Sequence, residues 1–193
     1  SVEVQEDGSQ LITYLLNAKR VNMVADFCAG AGGKTLGLSA MMKNTGRIYA
    51  FDISDKRLAN LKQRLKRSGA SNISMQRIHN ENDLKVKRLR NKFDRVLVDA
   101  PCTGLGTLRR NPDLKWRQTE NALNEMVVKQ LSILLAASKL CKKGAYLVYA
   151  TCSMLEDENE KIVTSFLASN QNFKIIPQHN ICLLYTSPSP RDH

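Results

Sequence analysis

The stretch Asp26-Phe27-Cys28-Ala29-Gly30-Ala31-Gly32-Gly33-Lys34-Thr35 decides the fold. It follows a β-rich run, Val21 to Phe27, and runs into Lys34 to Met42, which can start a helix, so its glycines stand in a strand-to-helix turn. Glycine there lets the backbone bend sharply and approach a ligand that a Cβ would hold off. Three ligand classes compete for such a turn. A phosphate-cradling loop needs glycine five residues before its final Gly-Lys-Thr, and Cys28 occupies that position. A dinucleotide fingerprint opening at Gly30 needs its third glycine where Thr35 stands. The remaining reading is a turn for S-adenosylmethionine, which presents an amino-acid and ribose moiety and no phosphate.

Working outward, strand-like and helix-like segments alternate, the pattern of a mostly parallel sheet with helices on both faces. Glu6 to Ala18 reads as an opening helix, and Arg47 to Asp52 as the second strand. Ser54 is an N-cap for a helix with Leu58, Leu61 and Leu65 on one face, stopping near Gly69. Ile73 to Ile78 and Phe93 to Asp99 are the third and fourth strands, and the apolar Val96-Leu97-Val98 places the fourth centrally. A helix from about Thr119 to Leu140 presents Leu123, Val127, Leu131, Leu134 and Leu135 to the sheet. Ala145 to Ala150 is the fifth strand, Glu156 to Ala168 a helix and Phe173 to Ile176 the start of another strand. Residues 1–182 read as one catalytic domain lacking its last strands. Residues 183–193, with Ser-Pro-Ser-Pro and no apolar period, read as a disordered or non-native tail. Asp52 strengthens the cofactor reading. It lies about 20 residues beyond Gly30, where a βαβ unit returns a strand end to the first turn, and its carboxylate can accept both ribose hydroxyls of an adenosine.

Composition bounds the rest. A 193-residue chain that is 42% hydrophobic can bury one substantial core without disulfides or a metal. No apolar run reaches the roughly 18 residues of a membrane span, and Ser1 to Gln10 carry no secretory pattern, so a cytoplasmic protein is expected. The formal charge of +11 gathers polyanions. The cysteines Cys28, Cys102, Cys141, Cys152 and Cys182 form no C-x-x-C pair, and with His79, His179 and His193 as the only histidines no metal site is expected. Cys141, at a helix end, and Cys182, in the tail, read as incidental.

Two cysteines fall at strand ends, in Asp99-Ala100-Pro101-Cys102 and Thr151-Cys152-Ser153. In an open parallel sheet ligands bind beyond the carboxyl ends of the strands, so both thiols should share a crevice with the cofactor. Each could instead be a small buried hydrophobe, the commoner fate of an intracellular cysteine. A thiolate has a use beside a methyl donor: added to C6 of a pyrimidine, it makes C5 nucleophilic. A base must then remove the C5 proton before the thiol leaves.

The motifs D-F-C-A-G-A-G-G-K-T, F-D-R-V-L-V-D-A-P-C-T-G-L-G-T, R-R-N-P-D-L-K-W and A-T-C-S together resemble the Sun/Fmu (RsmB/Nop) family of S-adenosylmethionine-dependent RNA (cytosine-5) methyltransferases. The likeness runs from about Val4 to about Pro177. It implies a Rossmann-like class I methyltransferase acting on RNA, ribosomal or transfer, as a monomer without membrane or metal. By this resemblance Cys152 is the nucleophile and Cys102 assists product release. Cys28, Ala29, Gly30, Ala31, Gly32, Gly33, Lys34, Asp52 and Asp99 contact the cofactor or, for Asp99, lie between it and the base. A further adenine contact falls to Asn80, with Asp83 as the alternative. Ala31 stands where many relatives have proline.

C5 and C6 of a paired base are shielded, so the target must be single-stranded or extruded. Arg109, Arg110, Lys115, Trp116 and Arg117 could hold backbone or stack on bases, or Trp116 could anchor its loop on the core. Lys85 to Lys92 reads as an exposed basic helix or turn. Two rival readings stay open: a DNA cytosine-5 methyltransferase with Cys102 as nucleophile, and a non-catalytic RNA-binding scaffold.

Overall fold

The computed structural model describes residues 7–103 and 120–176. Its framework is one sheet of five strands, β1 (Met23–Phe27), β2 (Arg47–Asp52), β3 (Ile73–Arg77), β4 (Phe93–Asp99) and β5 (Cys141–Ala150), ordered β3-β2-β1-β4-β5. Each of the four pairings is parallel. The expected α/β architecture is therefore present. Because the strands run together, their carboxyl ends share one rim, and the order reverses between β1 and β4, where such sheets open a crevice.

Helices cover both faces. On one, α1 (Asp7–Leu16), α2 (Gly33–Met41) and α3 (Asp55–Ser68) enclose Leu16, Val24, Leu38, Met42, Ile48, Leu97, Ala50 and Leu61. On the other, the short α4 (Leu84–Lys87), the long α5 (Glu120–Ser138) and α6 (Glu160–Ser169) enclose Phe27, Phe51, Val86, Phe93, Val96, Val98, Ile133, Leu134 and Phe166. Alternate residues of β4 thus feed opposite cores, and Val96, Leu97 and Val98 are all fully buried, as a central strand requires. Helix α3 shows how local sequence fixes an element. Ser54 accepts from Arg57 N at its start, Asp55 sits in the first turn and Lys66 and Arg67 in the last, and Gly69 closes it at φ +73°.

Three expectations are corrected. Strand β5 begins at Cys141 rather than Ala145, because Cys141 pairs with Phe93 and an irregularity, with Gly144 at φ +80°, absorbs the intervening residues. Cys141 is thus a strand residue, and burial pushes its thiol up to about 12. The helix expected over Glu156–Ala168 is split into a 3-10 turn, Glu156–Glu158, and α6, because Asn159 leaves helical geometry at φ −121°, ψ −96°. Phe173–Ile176 joins no described strand, and Phe173 instead sets its ring against Phe166 with centroids 5.2 Å apart. No helix among the described residues is long and apolar enough to cross a membrane.

Candidate active site

The turn after β1 is shaped by left-handed residues: Cys28 at φ +70°, Gly30 at +60° and Gly32 at +84°. Glycine is required at Gly32, where a Cβ would fall 2.2 Å from Leu61 Cδ1. Gly30 differs. A Cβ there would meet nothing among the described residues closer than Cys28 O at 4.0 Å, so none of their atoms packs against this point of the turn. The turn is held from behind. Ala29 N donates to Phe51 O at 2.9 Å, Gly30 N to Asp52 Oδ2 at 2.8 Å, and Arg64 to Ala31 O at 3.0 Å.

Asp52, at the end of β2, is buried, and its second oxygen accepts from Ser54 N at 2.7 Å. Each carboxylate oxygen therefore has one backbone donor and retains acceptor capacity. An open turn beside a carboxylate with capacity on both oxygens fits the ribose and amino-acid portions of S-adenosylmethionine. Asn80 and Asp83 are held by bonds within the turn after β3. Asn80 accepts from Asn82 N, while Asp83 accepts from His79 N and Lys85 N, and these two bonds hold its carboxyl below the usual range.

Lys34, in the first turn of α2, donates to Asp99 Oδ2 at 2.7 Å and so joins the turn after β1 to the end of β4. Asp26 is fully buried below it. Its Oδ2 accepts from Thr35 Oγ1 at 2.6 Å, while Oδ1 has no partner among the described residues. Burial pushes this carboxyl up to about 6, with Asp99 and Asp52 acting in the same direction and Thr35 and Lys34 against it. Cys28 is likewise pushed up to about 12 by burial and then by Asp52, Asp26 and Asp99, so its thiol stays protonated at neutral pH.

The two strand-end cysteines meet. Asp99 pairs with Ala150 across β4 and β5, and the chains leaving those residues carry Cys102 and Cys152 to a Cα–Cα separation of 6.4 Å. Their sulfurs are in contact as a disulfide pair. Cys152 is exposed and Cys102 half-buried. Both loops are braced by polar side chains. Thr151 Oγ1 donates to Asn159 Oδ1 at 2.7 Å, and Asn159 Nδ2 donates to the carbonyls of Ser153 and Leu155. Glu158 accepts from Thr103 N and Thr103 Oγ1. The reading of the sequence missed Asp26, Glu158 and Asn159. The last two sit in the run Glu156-Asp157-Glu158-Asn159-Glu160, whose composition is that of an exposed helix face. Arg109, Arg110, Lys115, Trp116, Arg117 and Cys182 lie outside the described residues. Among the described residues no cluster of His, Cys, Asp or Glu could hold a metal.

A parallel sheet in this order, with a glycine turn after its first strand and an acidic end on the neighbouring strand, defines a Rossmann-like methyltransferase whose cofactor is S-adenosylmethionine. Within that class, the model of the 16S rRNA methyltransferase RsmB/F family matches residues 13–183, and the chain belongs to this family, as the Sun/Fmu resemblance implied. It is 37% identical over 177 residues to a probable ribosomal RNA small subunit methyltransferase B of Synechocystis, covering 90% of this chain and 39% of that protein. Among solved structures, NSun6 from Pyrococcus horikoshii with SFG is 31% identical at a TM-score of 0.77, covering 86% of this chain and 41% of that one. A methyltransferase homolog protein from the same organism is 34% identical at a TM-score of 0.74, covering 86% and 51%. The chain spans about two fifths of the length of the curated relatives it matches.

Proposed function

We propose that this chain is the catalytic domain of an RNA methyltransferase that methylates C5 of cytosine, with ribosomal RNA as the substrate class. One observation carries the reading: two cysteines from adjacent strand ends bring their sulfurs together, on the rim where Lys34 bonds Asp99. A single structural thiol needs no partner, whereas addition and release on one pyrimidine ring call for two groups. Relatives named as ribosomal RNA methyltransferases support the substrate class.

In the reduced protein Cys152, the more exposed of the pair, adds its sulfur to C6 of an extruded cytosine, so that C5 becomes nucleophilic. When bound, S-adenosylmethionine supplies the electrophilic methyl group. Gly30 and Asp52 would hold the cofactor by its amino-acid and ribose portions, and Asp99 would orient the base. Cys102 assists removal of the C5 proton; those electrons restore the C5–C6 double bond and expel the Cys152 sulfur. The net charge of +11 draws a polyanion to the chain.

Trapping tests the assignment. With RNA carrying 5-fluorocytosine, the reduced chain should form a covalent adduct that Cys152→Ala abolishes, and with unmodified RNA Cys102→Ala should let an adduct accumulate. An adduct that survives Cys152→Ala but not Cys102→Ala refutes the assignment and supports the DNA-type arrangement. No methyl transfer by the reduced, full-length protein would leave a binding scaffold.

A further inference from the structure

The proposed chemistry gives no task to Glu158, yet this carboxylate is completely buried. A buried charge persists only when it is fully partnered, and the partners of Glu158 are specific. Its Oε1 accepts from Thr103 N at 2.8 Å and from Gln130 Nε2 at 3.0 Å, and its Oε2 from Thr103 Oγ1 at 2.7 Å. Gln130, on α5, also donates to Pro101 O at 2.8 Å. Both neighbours of Cys102, Pro101 and Thr103, are therefore clamped by the Glu158–Gln130 pair. On the other side, Tyr149 of β5 donates its hydroxyl to the Glu158 carbonyl at 2.9 Å, and the next residue, Asn159, grips Thr151, Ser153 and Leu155 around Cys152. Burial alone would raise the carboxyl, but hydrogen bonds from Ser153, Thr103 and Gln130 hold it below its usual range, so it stays an acceptor.

From this juxtaposition we infer that Glu158 is a positioning residue that sets the Cys102 loop against the Cys152 loop. The inference rests on the proposed two-thiol chemistry for its purpose, but its mechanical content concerns only where two sulfurs stand. Hydrogen bonds to a charged group are the strong ones, and removing Glu158 deletes together the bonds from Thr103 N, Thr103 Oγ1 and Gln130 Nε2.

The test measures the sulfurs directly. In a glutathione redox buffer the pair is oxidised by exchange: a Cys102–Cys152 bond forms, one glutathione disulfide is reduced to two glutathione thiols, and the two cysteine protons pass to them. The equilibrium gives the effective concentration of one thiol at the other, without any catalytic step. For the full chain, Glu158→Ala should lower this effective concentration roughly tenfold or more, matching the loss of charge-assisted bonds. Glu158→Gln should restore it to within about threefold, since its amide oxygen still accepts from Thr103 N and its amide nitrogen can donate to Thr103 Oγ1. Should Glu158→Ala fail to fold, Thr103→Val, which deletes one of the bonds, should give a smaller fall in the same direction and Thr103→Ser none. In methyl-transfer assays Glu158→Ala and Thr103→Val should lower kcat while KM for S-adenosylmethionine moves less than about twofold, because the clamp lies away from the cofactor turn. An unchanged thiol equilibrium in both Glu158→Ala and Thr103→Val, with only the melting temperature reduced, overturns the inference. So does a Gln variant that behaves as the Ala variant. A wild-type chain without methyl transfer, but with a thiol equilibrium that depends on Glu158, would overturn the proposed function and leave the clamp standing.

Discussion

Two glycines of the turn, changed to the same residue, should fail for different reasons. Gly30→Ala and Gly32→Ala each place an L-residue in the left-handed region, at φ +60° and +84°, costing about 1–2 kcal/mol. Only Gly32→Ala adds a collision, 2.2 Å from Leu61 Cδ1, and Leu61 is fully buried in the α3 core. Overpacking of that kind costs about 1–3 kcal/mol more, so Gly32→Ala should lose about 2–5 kcal/mol and Gly30→Ala only about 1–2 kcal/mol, its backbone strain. For a chain of this size the melting temperature falls by roughly 2–4 °C per kcal/mol. Expected shifts are therefore roughly 4–20 °C for Gly32→Ala and roughly 2–8 °C for Gly30→Ala. Cofactor binding should reverse the ranking per unit of lost stability. The new methyl of Gly30→Ala points into space that no atom of the described residues fills, which the cofactor is proposed to occupy. Thermal unfolding paired with equilibrium dialysis against S-adenosylmethionine separates the two effects. A Gly30→Ala protein as destabilised as Gly32→Ala, yet binding cofactor normally, would refute the reasoning.

Asp26 predicts a pH signature. Its carboxyl is raised from 3.8 to about 6 in the folded chain, so stability is fully present below about pH 4 and is lost as pH rises to about 6. At about 1.4 kcal/mol per pH unit this amounts to about 3 kcal/mol, and Asp26→Asn should lack it; parallel stability profiles for the two proteins between pH 4 and 7 would refute the prediction. Oxidation of Cys102 and Cys152 to their disulfide should silence methyl transfer completely, with full recovery on adding dithiothreitol, and mass spectrometry should find one cross-link joining those two residues. Activity that persists in the cross-linked protein would exclude Cys152 as nucleophile.

Much of the fold was legible because local signals and tertiary demands agreed. β2 and β4 are bounded as expected, and the α3 cap, first turn and terminal glycine each carry their own chemistry. The failures came where a distant partner decides. Lys142-Lys143-Gly144 has no β pattern of its own, and β5 starts ahead of it only because Cys141 finds Phe93. Asn159 looks like any helical asparagine until Thr151 and the carbonyls of Ser153 and Leu155 claim its side chain. At the site, glycines and strand-end residues were readable because their positions follow from topology. Glu158 was not, since its burial depends on Thr103 and Gln130, which are remote in sequence.

The protonated state of Cys28 bears on sulfur traffic at this rim. Exchange with a disulfide requires an attacking thiolate, and with its proton held to about pH 12 the Cys28 sulfur is a bystander under physiological conditions. Among the three sulfurs at this end of the sheet, disulfide exchange would therefore join Cys102 to Cys152 and leave Cys28 a thiol.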